Sequence, residues 1–156
     1  MQIAGRHYES GEPVRVTIDG ARIAAVEPVA ANDDTSNWPY LAPGLFDLQI
    51  NGQGGTWFGD SDIDADKVIA ALEPQPQYGI TRLCPTLVTN SFEALAGGFA
   101  AIREACEREE WVNRMVPGCH LEGPYISRED GPRGAHPLEH VRQADWNEFE
   151  KLQEIS

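Results

Sequence analysis

The sequence predicts an α/β fold in which a parallel sheet is connected by helical crossovers. Three observations carry that prediction. Strand-like and helix-like segments alternate three times after residue 41, as a crossover-connected sheet requires. Between residues 92 and 106 apolar side chains recur at steps of three and four, which marks one buried helix face. The composition, 41% hydrophobic and 24% charged over 156 residues, is that of a globular chain able to bury a core. Two architectures satisfy these terms, an open doubly wound sheet and a (β/α)8 barrel. A complete barrel takes about 250 residues, so residues 44–156 would form under half of one.

Each element follows from local chemistry. VRVTI at 14–18 and RIAAV at 22–26 flank the Asp19-Gly20 dipeptide, a hairpin signal. EPVAANDDTSNWP at 27–39 has the Pro, Asn, Asp and Ser content of a connecting loop. LFDLQI at 45–50 reads as the first strand of the sheet, followed by the glycine-rich NGQGG, and DIDADKVIAALEPQPQYG at 62–79 reads as a helix ending in prolines. ITRLCPT at 80–86 is the second strand, with Pro85 ending it and Cys84 a small buried hydrophobe. Ser91 caps the next helix, whose buried face is Phe92, Leu95, Phe99, Ile102 and Cys106. Gly97 and Gly98 weaken that helix by about 1 kcal/mol each relative to alanine. RMVPGCHLE at 114–122 is the third strand, SREDGPRGAHP at 127–137 a long loop, and a further helix begins near Asp145.

Twenty-five acidic against twelve basic residues give a formal charge of −13, which excludes nucleic acid and anionic membrane surfaces as expected partners. The three cysteines, Cys84, Cys106 and Cys119, have no paired spacing, so neither a disulfide framework nor a zinc knuckle is expected and a reducing cytoplasm fits. No run approaches the roughly 20 apolar residues of a membrane span, and no basic segment with an apolar stretch follows Met1. A soluble, cytoplasmic protein is expected.

Several residues could carry chemistry. In LFDLQIN the period of two puts Phe46, Leu48 and Ile50 on one face and Asp47, Gln49 and Asn51 on the other. In a barrel the apolar face would meet the helices and the polar one would point inward, towards the catalytic mouth. A half-solvated edge strand has the same pattern. NGQGGTWFG has glycines that let backbone N–H groups approach an anion, but it lacks a P-loop lysine and a G-x-G-x-x-G spacing, so a tight turn is the expectation. His120 and Glu122 share a face where Pro124 stops the strand; together they can ligate a metal or exchange a proton, or serve the structure alone. Arg128, Arg133, His136, His140 and Arg142 gather positive charge that could clamp a phosphate or carboxylate, or simply face solvent.

At these residues the sequence resembles the N-acetylglucosamine-6-phosphate deacetylases of the amidohydrolase superfamily. The resemblance rests on APGLFDLQINGQGG at 42–55, GITRLCPTLVT at 79–89 and GCHLEGPYISREDGPRGAHP at 118–137, in the family's order. It implies a (β/α)8 barrel with a small β-sandwich, of which residues 1–42 would supply N-terminal strands and 43–156 about the first three βα units. Gln49 and Asn51 stand where most amidohydrolases carry two metal-binding histidines. Neutral amides are poorer ligands than imidazole, so one divalent metal ion, zinc or iron, is expected rather than two. By the same match Glu122 is the protein carboxylate ligand, and Ala135 and His136 are the substrate-contacting pair, His136 near the sugar phosphate end or the sugar hydroxyls. The implied reaction converts N-acetylglucosamine 6-phosphate into glucosamine 6-phosphate and acetate, and the implied parent protein is a homo-oligomer.

The family's two histidine ligands, catalytic aspartate and phosphate-binding arginine match nothing in the chain. The general base is therefore expected beyond residue 156, and the chain alone is expected to be inactive, the N-terminal part of a longer enzyme. KLQEIS reaches the last residue without a helix-ending glycine or asparagine, which fits that expectation. Two alternatives stay open: a non-catalytic sugar-phosphate binding or regulatory module built on the glycine loop and the 128–142 clamp, and another amidohydrolase acting on an amide or cyclic amide.

Overall fold

Backbone pairing organises the first 43 residues into a four-stranded sheet. The computed structural model describes residues 1–30, 32 and 34–156; of the expected 27–39 loop, Ala31 and Asp33 lie outside the described residues. The strands are β1 (Gln2–His7), β2 (Pro13–Asp19), β3 (Arg22–Pro28) and β4 (Tyr40–Leu41), in the order β3-β2-β1-β4. The expected hairpin is present: β2 and β3 are antiparallel, and Asp19 pairs with Arg22 across a two-residue loop. Val14 and Val16 are buried, giving the sheet one apolar side. β1 is absent from the sequence reading, because QIAGRH has one β-branched residue and no clear alternation. Its extended form is imposed by antiparallel pairing to β2 from Gln2↔Thr17 to Arg6↔Pro13 and by parallel pairing to β4.

Residues Gly44–Ser156 form a second unit. It begins with β5 (Leu45–Ile50) and a minimal hairpin of β6 (Gly52–Gln53) and β7 (Thr56–Trp57), so the glycine-rich segment is a turn between two short antiparallel strands. Helix α1 (Ala65–Leu72) starts where the Asp64 side chain accepts a hydrogen bond from Lys67 N at 2.8 Å. After a 3-10 turn at Gln75–Tyr78 come β8 (Ile80–Val88), α2 (Phe92–Arg108), α3 (Glu110–Met115), β9 (His120–Glu122) and α4 (Trp146–Ile155). Ser91 and Asp145 cap α2 and α4 as expected, Ser91 Oγ accepting from Ala94 N at 3.2 Å and Asp145 accepting from Asn147 N at 2.9 Å.

The sheet order is β5-β8-β9, and both pairings are parallel. Leu83 and Leu87 of β8 are fully buried with Val68 and Leu72 of α1, Leu95 and Ile102 of α2, Val112 of α3 and Leu152 of α4. All four helices thus contribute to one apolar cluster with β8. Each fully buried leucine contributes roughly 1.5–3 kcal/mol.

Four local expectations change. β8 does not end at Pro85 but runs to Val88, with Pro85 opposite Ile50; a proline is tolerated where the ladder shifts register. The segment 114–122 is not one strand: Arg114 and Met115 finish α3, whose Val112 and Met115, three apart, are buried. Gly98 does more than weaken α2, since a Cβ there would lie 2.5 Å from Leu87 Cδ2 and 2.7 Å from the Phe58 carbonyl oxygen. Glycine lets the helix approach β8 closely. Finally, Phe46 and Leu48 do not pack under helices; they are 48% and 68% exposed, and only Ile50 of that set packs against the core. Among the described residues β5 has a neighbour on one side only, and its ladder shifts register between Asp47 and Ile50, which breaks the strict alternation.

Candidate active site

Glu122 is the last residue of β9, and Gly123 and Pro124 stop the ladder immediately after it. Gly123 has φ +80°, and a Cβ there would lie 1.9 Å from Thr89 Oγ1. The residue type is therefore set twice, by the left-handed backbone and by the approach of Thr89. Thr89 follows directly on β8 and is 2% exposed. Its backbone N donates to the Glu122 carbonyl at 2.9 Å, and its hydroxyl lies 3.2 Å from the same oxygen. The carboxyl ends of β8 and β9 are thereby tied together, and the Glu122 side chain is left to project from the end of the sheet.

Two expected site residues converge on that carboxylate. Gln49 Nε2, from β5, donates to Glu122 Oε2 at 2.5 Å, and His136 Nε2, from the long loop, stands 3.6 Å from Glu122 Oε1. Gln49 reaches it from the far side of β8, and its backbone N donates to Asp47 Oδ1 at 3.0 Å within the irregular end of β5. The His136 and Glu122 side chains are 18% and 34% exposed, a partly shielded pair. His136 Nδ1 lies 2.9 Å from Thr89 Oγ1, and the His136 carbonyl accepts from Arg133 Nη1 at 2.8 Å.

The other expected residues make contacts of their own. Ala135 precedes His136 and is exposed. Asn51 lies just past β5, and its carbonyl accepts from Phe58 N at 3.0 Å, which closes the glycine hairpin. His120 shares the β8 and β9 face with Thr86, its Nδ1 3.4 Å from Thr86 Oγ1.

The basic clamp expected from residues 128–142 is not a free set of cations. Arg142 Nε and Nη2 grip Glu148 at 2.6–3.0 Å while its Nη1 donates to the carbonyls of Asn90 and His140. Arg128 donates to the Val141 carbonyl at 2.6 Å, and Arg133 pairs with Asp130 as well as His136. A long loop with few ladder bonds satisfies its carbonyls with guanidinium forks. Tyr125 joins the same network, donating to Glu148 Oε1 at 3.1 Å; burial, and then that hydrogen bond, push its hydroxyl up to about 12.

As a metal site the donors present are one carboxylate, one imidazole and one neutral amide. No group of three His, Cys, Asp or Glu side chains placed to hold an ion occurs among the described residues. A catalytic site normally supplies three protein ligands. The set fits as one face of a metal site, with Glu122 as the strong oxygen donor, and does not make one by itself.

Thr89 and Gly123 are the residues that sequence reasoning left without a role. Both lie inside the motifs that carry the resemblance, the last residue of GITRLCPTLVT and the glycine of HLEGP. Their adjacency across the β8 and β9 ends shows only in the fold.

No protein-family model matches the chain. It is 38% identical over 113 residues to N-acetylglucosamine-6-phosphate deacetylase of Bos taurus, a match covering 72% of this chain and 27% of the relative. The crystal structure of N-acetylglucosamine-6-phosphate deacetylase from Thermotoga maritima superposes with a TM-score of 0.78 at 24% identity, over 97% of this chain and 39% of that one. A variant of the Mycobacterium smegmatis enzyme, determined in complex with N-acetyl-D-glucosamine 6-phosphate, superposes with a TM-score of 0.75 at 25% identity, over 99% and 40%. A parallel α/β unit with an acidic site at its strand ends, matched in this way, is a relative of the sugar-phosphate deacetylases. Within that class the chain corresponds to an N-terminal portion of the N-acetylglucosamine-6-phosphate deacetylases and spans about a quarter of the length of the curated relatives it matches.

Proposed function

We propose that the chain is the N-terminal part of a metal-dependent deacetylase that hydrolyses N-acetylglucosamine 6-phosphate to glucosamine 6-phosphate and acetate. One observation carries the reading: the Glu122 carboxylate, at the carboxyl end of a parallel sheet, is held by Gln49 and faces His136. Ligands of parallel α/β enzymes bind at that end of the strands. The strands β5, β8 and β9 lie side by side in chain order with the helices in one cluster, which supports the first three βα units of a (β/α)8 barrel.

In this reading Glu122 is one ligand of a divalent ion, zinc or iron, in a cytoplasmic, homo-oligomeric parent enzyme. When bound, such an ion lowers the pKa of water and polarises the amide carbonyl. Gln49 fixes the Glu122 carboxylate through Oε2 and leaves Oε1 facing His136 Nε2 at 3.6 Å. Ala135 and His136 meet the sugar. The remaining ligands and the general base belong to the part of the relatives' length that this chain does not span, so this chain alone releases no acetate.

The test is acetate release and metal content of the chain extended by its adjoining coding sequence, with Glu122→Ala alongside. The expected result is turnover and about one bound ion per chain in the parent, both lost in Glu122→Ala. Retention of both would remove Glu122 from the site, and an extended, metal-loaded protein without turnover would remove the reaction. The binding-module alternative loses its main support, because the loop arginines are already engaged. Calorimetry of the 156-residue chain with the sugar phosphate and no added metal is expected to show no micromolar binding.

A further inference from the structure

We propose that Tyr125, Trp146 and Phe149 form an aromatic pocket that binds a small quaternary ammonium ion, with Asp145 as the carboxylate at its rim. A cavity of about 380 Å³ opens between the segment after β9 and the start of α4, lined by these four residues and Ala144. None of them belongs to the set of Gln49, Glu122 and His136, and the proposal does not rest on the deacetylase reading. Trp146 is the first residue of α4 and is 66% exposed, whereas Leu152 of the same helix is buried in the core. The indole ring therefore adds little to the core. Trp146 and Phe149 are three apart on the helix, with ring centroids 5.4 Å apart and planes tilted by 34°. Tyr125 is held through its hydroxyl, which donates to Glu148 Oε1 at 3.1 Å, and Glu148 is itself gripped by Arg142. Its ring is thus fixed before any ligand arrives.

The charges decide the kind of ligand. The face of an aromatic ring is negative, and a cation within about 6 Å of a ring centroid is attracted to it, most strongly by tryptophan. Asp145 accepts from Asn147 N and Glu148 N through Oδ1 alone, at 2.9 and 3.4 Å, which leaves Oδ2 for a further partner. Arg142 is a cation beside the pocket, but its guanidinium is engaged by Glu148 and by the carbonyls of Asn90 and His140. The Tyr125 hydroxyl reports the local field. Burial first, and then Glu148, push it up to about 12; Asp145 adds to that and Arg142 opposes it without cancelling it. The carboxylates outweigh the guanidinium there, so an anion is disfavoured. A primary ammonium holds its water strongly, whereas the methyl groups of a quaternary ammonium touch the rings with little water to remove.

The experiment is a titration of the 156-residue chain with tetramethylammonium chloride at constant ionic strength, followed on the indole N–H signals of its ¹H–¹⁵N correlation spectrum. The chain has four tryptophans, and Trp146→Phe identifies the Trp146 signal. The expected result is a saturable shift of that signal in the millimolar range. It should be absent with sodium chloride and at least about 5-fold weaker with neopentyl alcohol, an uncharged molecule of similar shape. Asp145→Asn keeps a helix-capping side chain and removes the charge, and it should weaken binding by about 2–5-fold, as should Phe149→Leu. Equal affinity for neopentyl alcohol overturns the proposal, since the pocket is then an apolar groove indifferent to charge. Undiminished affinity in Asp145→Asn overturns it as well, as does the lack of a saturable shift in the parent chain. If Phe149→Leu does not fold, the parent and Asp145→Asn titrations still decide. None of these readings depends on acetate release or metal content, so failure here is distinct from failure of the deacetylase assignment.

Discussion

Replacing Gly123 by alanine places a methyl group where Thr89 Oγ1 already stands. Two costs can be worked from the structure. The backbone at φ +80° is left-handed, and an L side chain there costs about 1–2 kcal/mol. The new Cβ, 1.9 Å from Thr89 Oγ1, also pushes the hydroxyl off the Glu122 carbonyl and His136. A buried polar group stripped of its partners costs about 1–3 kcal/mol. The expected loss is therefore about 3 kcal/mol, out of the roughly 5–15 kcal/mol by which domains are stable. With a urea slope of about 2 kcal/mol/M for a small domain, the unfolding midpoint should fall by about 1.5 M. Gly54→Ala is the matched control, because Gly54 has φ +62° with no atom within 4 Å of its added Cβ. It should show the backbone cost alone, and the difference between the two variants reads the Thr89 contact. A difference below about 0.5 kcal/mol, within ordinary additivity error, would refute the claim that Thr89 and Gly123 lock the two strand ends together.

Arg142→Ala should destabilise the chain by about 2–3 kcal/mol, less than the roughly 3–5 kcal/mol of a fully buried pair because both partners keep some exposure. Denaturation of Arg142→Ala, Glu148→Gln and the double variant should show strong non-additivity; simple addition would mean that the pair is not coupled. Cys119 should be the last of the three thiols to react with iodoacetamide, as followed by peptide mass spectrometry, since burial pushes it up to about 12. The same shift has a stability consequence with a definite sign. Its contribution is present below the unfolded thiol value of 9.0 and is lost as pH rises through about 12, so stability that rises over this window would contradict it. Phe46→Lys with Leu48→Lys should suppress concentration-dependent self-association in gel filtration, because β5 is an edge strand with both apolar side chains exposed. Unchanged association would place the contact elsewhere.

Much of the second unit was legible in the residues. Helix α2 could be read because its apolar period and its Ser91 cap are local properties, and β8 because β-branched residues favour an extended, half-buried chain. Glu122 was legible as a strand-terminal carboxylate, since a following Gly-Pro ends pairing whatever the rest of the fold does. The irregular end of β5 was not. A register shift depends on what the neighbouring strand offers, so the single period read from LFDLQIN placed Phe46 and Leu48 under helices that do not cover them. The loop arginines misled for a similar reason, because sequence counts charges and does not show that Arg142 has Glu148, Asn90 and His140 within reach.

The sequence by itself determined the α/β alternation, the hairpin at Asp19-Gly20, the caps of the longer helices and the motifs that point to a sugar-phosphate deacetylase. Each of these depends on residues close together in the chain, where dihedral preference and hydrogen-bonding groups act locally. Only the tertiary structure decided that Gln49, Glu122 and His136 meet, and that Thr89 stands between His136 and the backbone of Glu122. Those contacts join positions 14 to 73 residues apart, and the parallel pairing of β5, β8 and β9 brings the chain near positions 49, 89 and 122 together. The glycine of HLEGP shows the division most clearly. Its sequence context marks the end of a strand, while the hydroxyl 1.9 Å from its absent Cβ is supplied by a different strand and explains why no other residue fits there.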